Sequence, residues 1–484
     1  MTKISQQEQI EFGDFQTPLE LAKLVCQKLE GLGINPETII EPTCGVGAFV
    51  EASANQFTDA SKIIGVEINE NYLSELKNRK FSVHSKNQID FIQGDFFSFE
   101  WQKLINSSKG SILVIGNFPW VTNSQQGSIG GANLPTKKNF QNHNGFDAMT
   151  GKGNFDISEW MLIQSANWLR NRHGYLAMLI KTSVARKFLN YLHTEKIGVL
   201  RSAIFTIDAK RYFNVSVEAC LLFCEFDAQS HNYDYDIYES LKSKKSQRVG
   251  HRNGVTVRDL DTFERLSDYY GHGKTKWRSG IKHDCSAVME FQKIGEDYIN
   301  GLGEIVKIES TYLFPLLKGS DIANGRIDKT NRYVLVTQKT VGEPTSTIKT
   351  VAPNTWAYLE LHANYLDERK SRIYKDNPRF SIFGVGSYTF APYKIAICGL
   401  YKKLAFQLIH QIEGKPVVFD DTVYFLSFKT ENEAKEIFRV LSSQLAKDFY
   451  SALIFWDEKR PIKTSILNSL NLEQFESQQV LRLF

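Results

Sequence analysis

The sequence predicts an α/β protein: a doubly wound parallel sheet in the N-terminal half, followed by a C-terminal domain of mixed α+β structure. Three observations predict it. Short apolar, β-branched runs alternate with segments of helical spacing through the first 226 residues. The first of these runs ends in a glycine-containing turn, Glu41–Phe49, that opens a helix. Near residue 230 the alternation stops, and between Lys242 and Lys282 eleven Lys/Arg stand against four Asp/Glu, +7 locally in a chain of net charge +4. The predicted boundary is therefore 1–230 against 231–484.

The elements follow in order. Leu21, Leu24, Val25 and Leu29 lie at helical spacing after Thr17-Pro18, which predicts a helix over 19–29. Strands are predicted at 38–40, 62–66, 111–115, 175–180 and 220–225, and helices at 69–77 and 158–169. The stretch 121–154 carries glycines at 127, 130, 131, 145, 151 and 153 and follows a strand directly. It reads as a mobile loop at the carboxyl edge of the sheet, either a lid or a surface insertion.

With 484 residues, 42% hydrophobic and 23% charged, the composition excludes a disordered chain. The apolar runs are far too short for a membrane span, and the polar N-terminal stretch shows no secretory signal. The short apolar runs leave no membrane partner expected, and six cysteines that form no disulfide framework predict a reducing, cytoplasmic compartment.

Acidic residues mark a ligand site. Glu41 ends the first strand, in Glu41-Pro42-Thr43-Cys44-Gly45-Val46-Gly47. Glu67 ends the second, where a carboxylate suits a pair of ribose hydroxyls, and Asp95-Phe96 ends a third segment, where it suits an exocyclic amine and a purine ring. Glu41 can face a cationic head group. Each acid alone reads more readily as a solvated strand end or a helix cap than as a ligand contact, and the ordered set of three reverses that. The ordered set fits a nucleoside carrying an amino acid and a positive charge. A dinucleotide fingerprint is excluded, because Val50 stands where the third glycine belongs, and there is no phosphate loop.

Asn117-Phe118-Pro119-Trp120 follows the next strand. Alone it reads as a turn leaving a sheet. Placed after the three acids, it offers acceptors for a planar amine: the Asn117 carboxamide oxygen and a backbone carbonyl at Phe118 or Pro119. These would localise the amine lone pair toward a methyl donor by positioning and preorganised electrostatics. Trp120 offers a stacking face, with Phe213 as a second. A base inside a duplex would have to be flipped out to reach them.

These motifs resemble, over about residues 12–226, the S-adenosylmethionine-dependent DNA adenine-N6 methyltransferases of the gamma motif order, a restriction-modification type. The resemblance implies a Rossmann-like catalytic domain that binds S-adenosylmethionine through Thr17 of Phe15-Gln16-Thr17-Pro18 and through Glu41, Thr43, Gly45, Glu67, Ile68, Asp95, Phe96 and Asn117. It makes Asn117, Phe118, Pro119 and Trp120 the catalytic motif, and Asn154-Phe155-Asp156 and residues 175–181 later core motifs. Phe118 departs from the family, which has proline there.

The resemblance also implies a C-terminal target-recognition domain for double-stranded DNA, and the possibility of a separate restriction endonuclease. In Arg369–Lys394, basic residues alternate with aromatics. Arg369, Lys370, Arg372 and Lys394, with Lys274, Lys276 and Arg278, are the candidate phosphate contacts. Neither Asp420-Asp421 nor the Cys220, Cys224, His283, Cys285 set matches a metal pattern, so no metal is expected. Two other readings remain open from sequence: a methyltransferase acting on RNA or a glutamine amide, and a non-catalytic DNA-binding subunit, which Phe118 favours.

Overall fold

The computed structural model describes residues 16–79, 87–120 and 156–475. Phe15, Asn154, Phe155 and the loop predicted at 121–154 lie outside these residues. The chain forms two compact units, Met1–Thr256 and Val257–Phe484.

The N-terminal half builds one large sheet from β1 (Thr38–Glu41), β2 (Lys62–Glu67), β3 (Gln88–Gln93), β4 (Ile112–Asn117), β5 (Gly174–Lys181), β6 (Val199–Ile207), β7 (Ala219–Phe226), β8 (Tyr235–Tyr238), β9 (Ser246–Arg252) and β10 (Val255–Val257). Their order is β10-β9-β8-β6-β7-β5-β4-β1-β2-β3. β1 pairs in parallel with both β2 and β4. β2 continues in parallel to β3, and β4 to β5, whereas β7 lies antiparallel between β5 and β6. The chain thus steps from β1 out to β3, then returns to the other side of β1 as β4. This is the strand reversal at which doubly wound sheets open a crevice above their carboxyl ends.

Burial explains why these segments are strands. β1 and β7 are buried along their whole length, as expected of strands covered on both faces. The helix Leu19–Gly31 lays Leu21, Val25 and Leu29 against Phe49 and Val50 of the helix Ala48–Gln56 in one core. Each such side chain contributes about 1.5–3 kcal/mol by burial. The predicted elements occur within a few residues of their expected places.

The sheet also departs from the sequence-based boundary. β8 pairs in parallel with β6, and β9 pairs with β8, so residues 235–257 extend the sheet beyond residue 230. Part of the basic stretch is therefore strand: Arg252 of β9 donates to both carboxylate oxygens of Asp234 at 2.8 Å.

The second unit holds two smaller sheets. One has the order β11 (Arg278–Ser279), β20 (Val423–Phe428), β17 (Tyr393–Cys398), β18 (Gln407–Ile409) and is antiparallel throughout. The other has the order β14 (Ile305–Val306), β13 (Asp297–Asn300), β12 (Glu290–Ile294), β16 (Arg332–Leu335), β15 (Leu313–Leu317), β19 (Val418–Phe419). With the flanking helices this is mixed α+β structure. No helix among the described residues is long and apolar enough to cross a membrane. All six cysteines are free and buried.

Candidate active site

The carboxyl ends of β4, β1 and β2 lie side by side and carry Asn117, Glu41 and Glu67, with Asp95 just past the neighbouring β3. The four residues that the sequence singled out at strand ends thus come together along one edge of the sheet. The turns between them are tied by hydrogen bonds. The Gly45 amide donates to Glu67 Oε2 at 2.7 Å, and the Asn69 amide donates to Oε1 at 2.8 Å. Glu41 Oε2 accepts from the Val50 amide at 3.0 Å, at the start of the helix Ala48–Gln56. The Thr43 hydroxyl donates to the Asn117 carbonyl at 3.4 Å, joining the glycine turn to the Asn-Phe-Pro-Trp segment.

The glycines have a backbone reason. Gly45 has φ +48°, and a Cβ there would lie 2.4 Å from Gln16 Oε1. Gly47 has φ +78° and caps the helix. Gln16 Oε1 accepts from the Val46 amide at 3.0 Å. The side chain beside Thr17 therefore closes over the loop, a role that Gln16's place beside Thr17-Pro18 hinted at and that sequence reasoning did not assign.

Electrostatics favour a cation here. Burial lifts the Glu41 carboxyl well above the usual carboxylate range, the Val50 amide opposes this, and the charge of Glu67 raises it further. A positive group beside the two acids would relieve that cost. Both Glu67 oxygens accept backbone amides, Oε2 from Gly45 and Oε1 from Asn69, which holds the carboxylate in place at the strand end. Exposed Ile68, next along, offers an apolar surface. The residues present thus fit a ligand with ribose hydroxyls and a positive charge.

Other predicted residues sit differently. Asp95 closes its own turn, accepting from the Phe97 amide at 3.1 Å and the Ser98 hydroxyl at 3.2 Å. Phe96 is not an open cover for a purine. Its ring is buried among Trp101, Phe118, Trp160 and Trp168, with centroids 5.3–6.0 Å apart. Phe118 is buried edge-on against it at 5.5 Å, so the residue that replaces proline is a core anchor for the turn.

Trp120 and Phe213 are not two faces of an open slot. Both are buried, and they meet at 5.0 Å with 66° between their planes. The Trp120 indole also donates to the Leu179 carbonyl at 3.2 Å. Such an edge-on contact leaves no parallel gap for a base. Of the later motifs, Asp156 accepts from Lys181 Nζ and from the Ser158 hydroxyl, each at 2.6 Å.

In the second unit Lys274, Lys276, Arg278, Lys370 and Arg372 are exposed, as phosphate contacts require. Arg369 and Lys394 are not available. Arg369, 9% exposed, donates to the carbonyls of Leu366, His283 and Ser381 and lies 3.6 Å from the centre of the Tyr374 ring. Lys394, 1% exposed, donates to the carbonyls of Ala391 and Val417. Both serve the core. Asp420 accepts from the Thr422 amide and hydroxyl, a turn contact, and among the described residues no group of acidic, His or Cys side chains is arranged for a metal ion.

The strand order and the acids at the strand ends define a Rossmann-like methyltransferase fold, whose methyl donor is S-adenosylmethionine. No protein-family model matches the chain. Over 465 residues it is 58% identical to the type II methyltransferase M.NspV of Nostoc sp. (strain ATCC 29411 / PCC 7524), covering 96% of this chain and 97% of that one. It is 31% identical over 120 residues to the type II methyltransferase M.CvrRI of Paramecium bursaria Chlorella virus XZ-6E, covering 25% of this chain and 27% of that one. Among solved structures, the type IIL restriction-modification enzyme MmeI in complex with DNA matches with a TM-score of 0.49 at 13% identity, covering 96% of this chain and 65% of that one. The chain belongs to the type II methyltransferases and is a restriction-modification DNA methyltransferase.

Proposed function

We propose that the chain methylates N6 of an adenine flipped out of duplex DNA. The observation that carries this reading is the placement of Asn117 at the end of β4, beside Glu41 and Glu67 at the ends of β1 and β2. The donor, S-adenosylmethionine, supplies an electrophilic methyl group on a sulfonium. Glu67 would accept from its ribose hydroxyls, Asp95 from its adenine amine with Ile68 alongside, and Glu41 would face the positive methionine end near Thr17, Thr43 and Gly45. The Asn117 carboxamide oxygen and a carbonyl of Phe118 or Pro119 would accept from the target amine, aiming its lone pair at the methyl carbon.

No side chain need remove a proton before transfer. The work is alignment, and the site supplies it through strand ends and turns held by backbone hydrogen bonds. Stacking of the base on Trp120 would require the Trp120–Phe213 contact to open. The first unit would be catalytic. The second would recognise DNA, with Lys274, Lys276, Arg278, Lys370 and Arg372 on phosphates. A separate endonuclease would cut the unmethylated site.

The test is transfer of a labelled methyl group to duplex DNA and, in parallel, to RNA, followed by digestion to nucleosides. Label in N6-methyladenine from DNA is expected. Label only in a methylcytosine would overturn the adenine assignment, and label only in RNA would overturn the duplex substrate.

A further inference from the structure

The eight residues 399–406 join β17 to β18 in the second unit. Their tip carries two consecutive large apolar side chains in solvent, Leu400 at 41% and Tyr401 at 42% exposure, followed by exposed Lys402 and Lys403. Single exposed apolar residues are ordinary. An adjacent pair followed by two lysines, on a connection whose base is packed, is not accounted for by the fold.

The base is tightly built. The Gly399 amide donates to the Thr422 carbonyl at 2.9 Å, and a Cβ at Gly399 would lie 2.7 Å from the Tyr424 ring. Within the connection, the Lys403 amide donates to the Tyr401 carbonyl at 2.8 Å and the Ala405 amide to the Lys403 carbonyl at 3.1 Å. At the far end Phe406 is buried against Trp277 at 5.7 Å. Trp277 stands between exposed Lys276 and Arg278, and Arg278 begins β11 in the same sheet. The far end of the connection is thus packed on Trp277, in the segment that also carries Lys274, Lys276 and Arg278.

We propose that this connection is a wedge that enters a groove of duplex DNA, with Leu400 and Tyr401 against or between base steps and Lys402 and Lys403 on the flanking phosphates. The inference rests on the duplex-DNA reading above. Apolar side chains held at a rigid tip suit partial unstacking of a base step, and lysines beside them suit the strands on either side. Unstacking near the target would also lower the cost of extruding a base.

The test measures binding of a short random-sequence duplex across a salt series, and methyl transfer to plasmid DNA, for wild type, Tyr401→Ala, Tyr401→Phe and the double variant Lys402→Ala/Lys403→Ala. Tyr401→Ala should weaken duplex binding about tenfold, and Tyr401→Phe should restore it. The lysine pair should lower the salt slope by about 2 and raise KM for DNA with little change in kcat. Affinity for S-adenosylmethionine should stay at the wild-type level in all three. If wild type binds the duplex and every variant matches it in affinity and slope, the wedge is wrong and the methyltransferase reading stands. If wild type binds no duplex at any salt concentration, both fall together.

Discussion

The carboxyl edge of the first sheet and the Arg369–Lys394 stretch of the second unit were both marked by residue pattern, and the structure treats them differently. Along the sheet edge, Asn117, Glu41 and Glu67 come to adjacent strand ends because each follows a buried strand whose register sets its position. In the stretch 369–394, Arg369 and Lys394 turn inward onto backbone carbonyls while Lys370 and Arg372 stay in solvent. A motif at a strand end inherits its place from the sheet. A run of charges does not reveal which members face water, because a buried Arg or Lys satisfied by carbonyls has the same sequence signature as one on a phosphate.

The sharpest way to break the comparison is at Asn117. Asn117→Ala should lower methyl transfer by about 10²–10³-fold or more while leaving S-adenosylmethionine binding measurable by calorimetry. Full activity in this variant would remove the strand-end site from the chemistry.

Next in size is Arg369→Ala. It would strand three carbonyls and a stacked Tyr374 ring, and should destabilise the second unit by about 3 kcal/mol in denaturant unfolding. Lys370→Ala, one residue along and exposed, should change stability by less than about 0.5 kcal/mol and only lower the salt slope of DNA binding by about 1. Equal stability of the two variants would show that Arg369 is not a core residue.

Glu41→Gln tests the electrostatics of the sheet edge. Because the folded chain holds the Glu41 proton more tightly than the unfolded chain, the stability it contributes is full below about pH 4.3 and is lost as pH rises through the lifted value. The amide keeps the acceptor for Val50. It should therefore raise stability without donor at neutral pH, with no gain near pH 4, and weaken S-adenosylmethionine binding.

Lys394 tests the same inward turn through pH. Burial lowers its ammonium to about 7, so the folded chain sheds this proton more readily than the unfolded chain. Stability should rise with pH from about 7 toward about 10.4 and fall again as pH drops back through that window. Lys394→Met should flatten this rise in thermal unfolding measured across the window.

Sequence pattern revealed the sheet core because β1, β4, β5 and β7 are apolar and covered on both faces. It missed β3, whose Gln88 and Gln93 ends are exposed and whose Asp90 pairs with Lys62 at 2.9 Å on the sheet edge. It missed the reach of the sheet to residue 257, because β8 is only four residues long and β9 is mostly polar. In the site, the acids and Asn117 were legible as strand-end residues. The inward turn of Phe96, Phe118, Trp120 and Phe213 was not, since an aromatic beside a site and one in the core beneath it differ only in the direction of a side chain.

The most direct test is a co-crystal structure with duplex DNA and an unreactive analogue of S-adenosylmethionine. The account predicts an extruded adenine with N6 within hydrogen-bond distance of the Asn117 carboxamide oxygen and the analogue's ribose on Glu67. An adenine still stacked in the helix, or Asn117 directed away from the bound base, would contradict it.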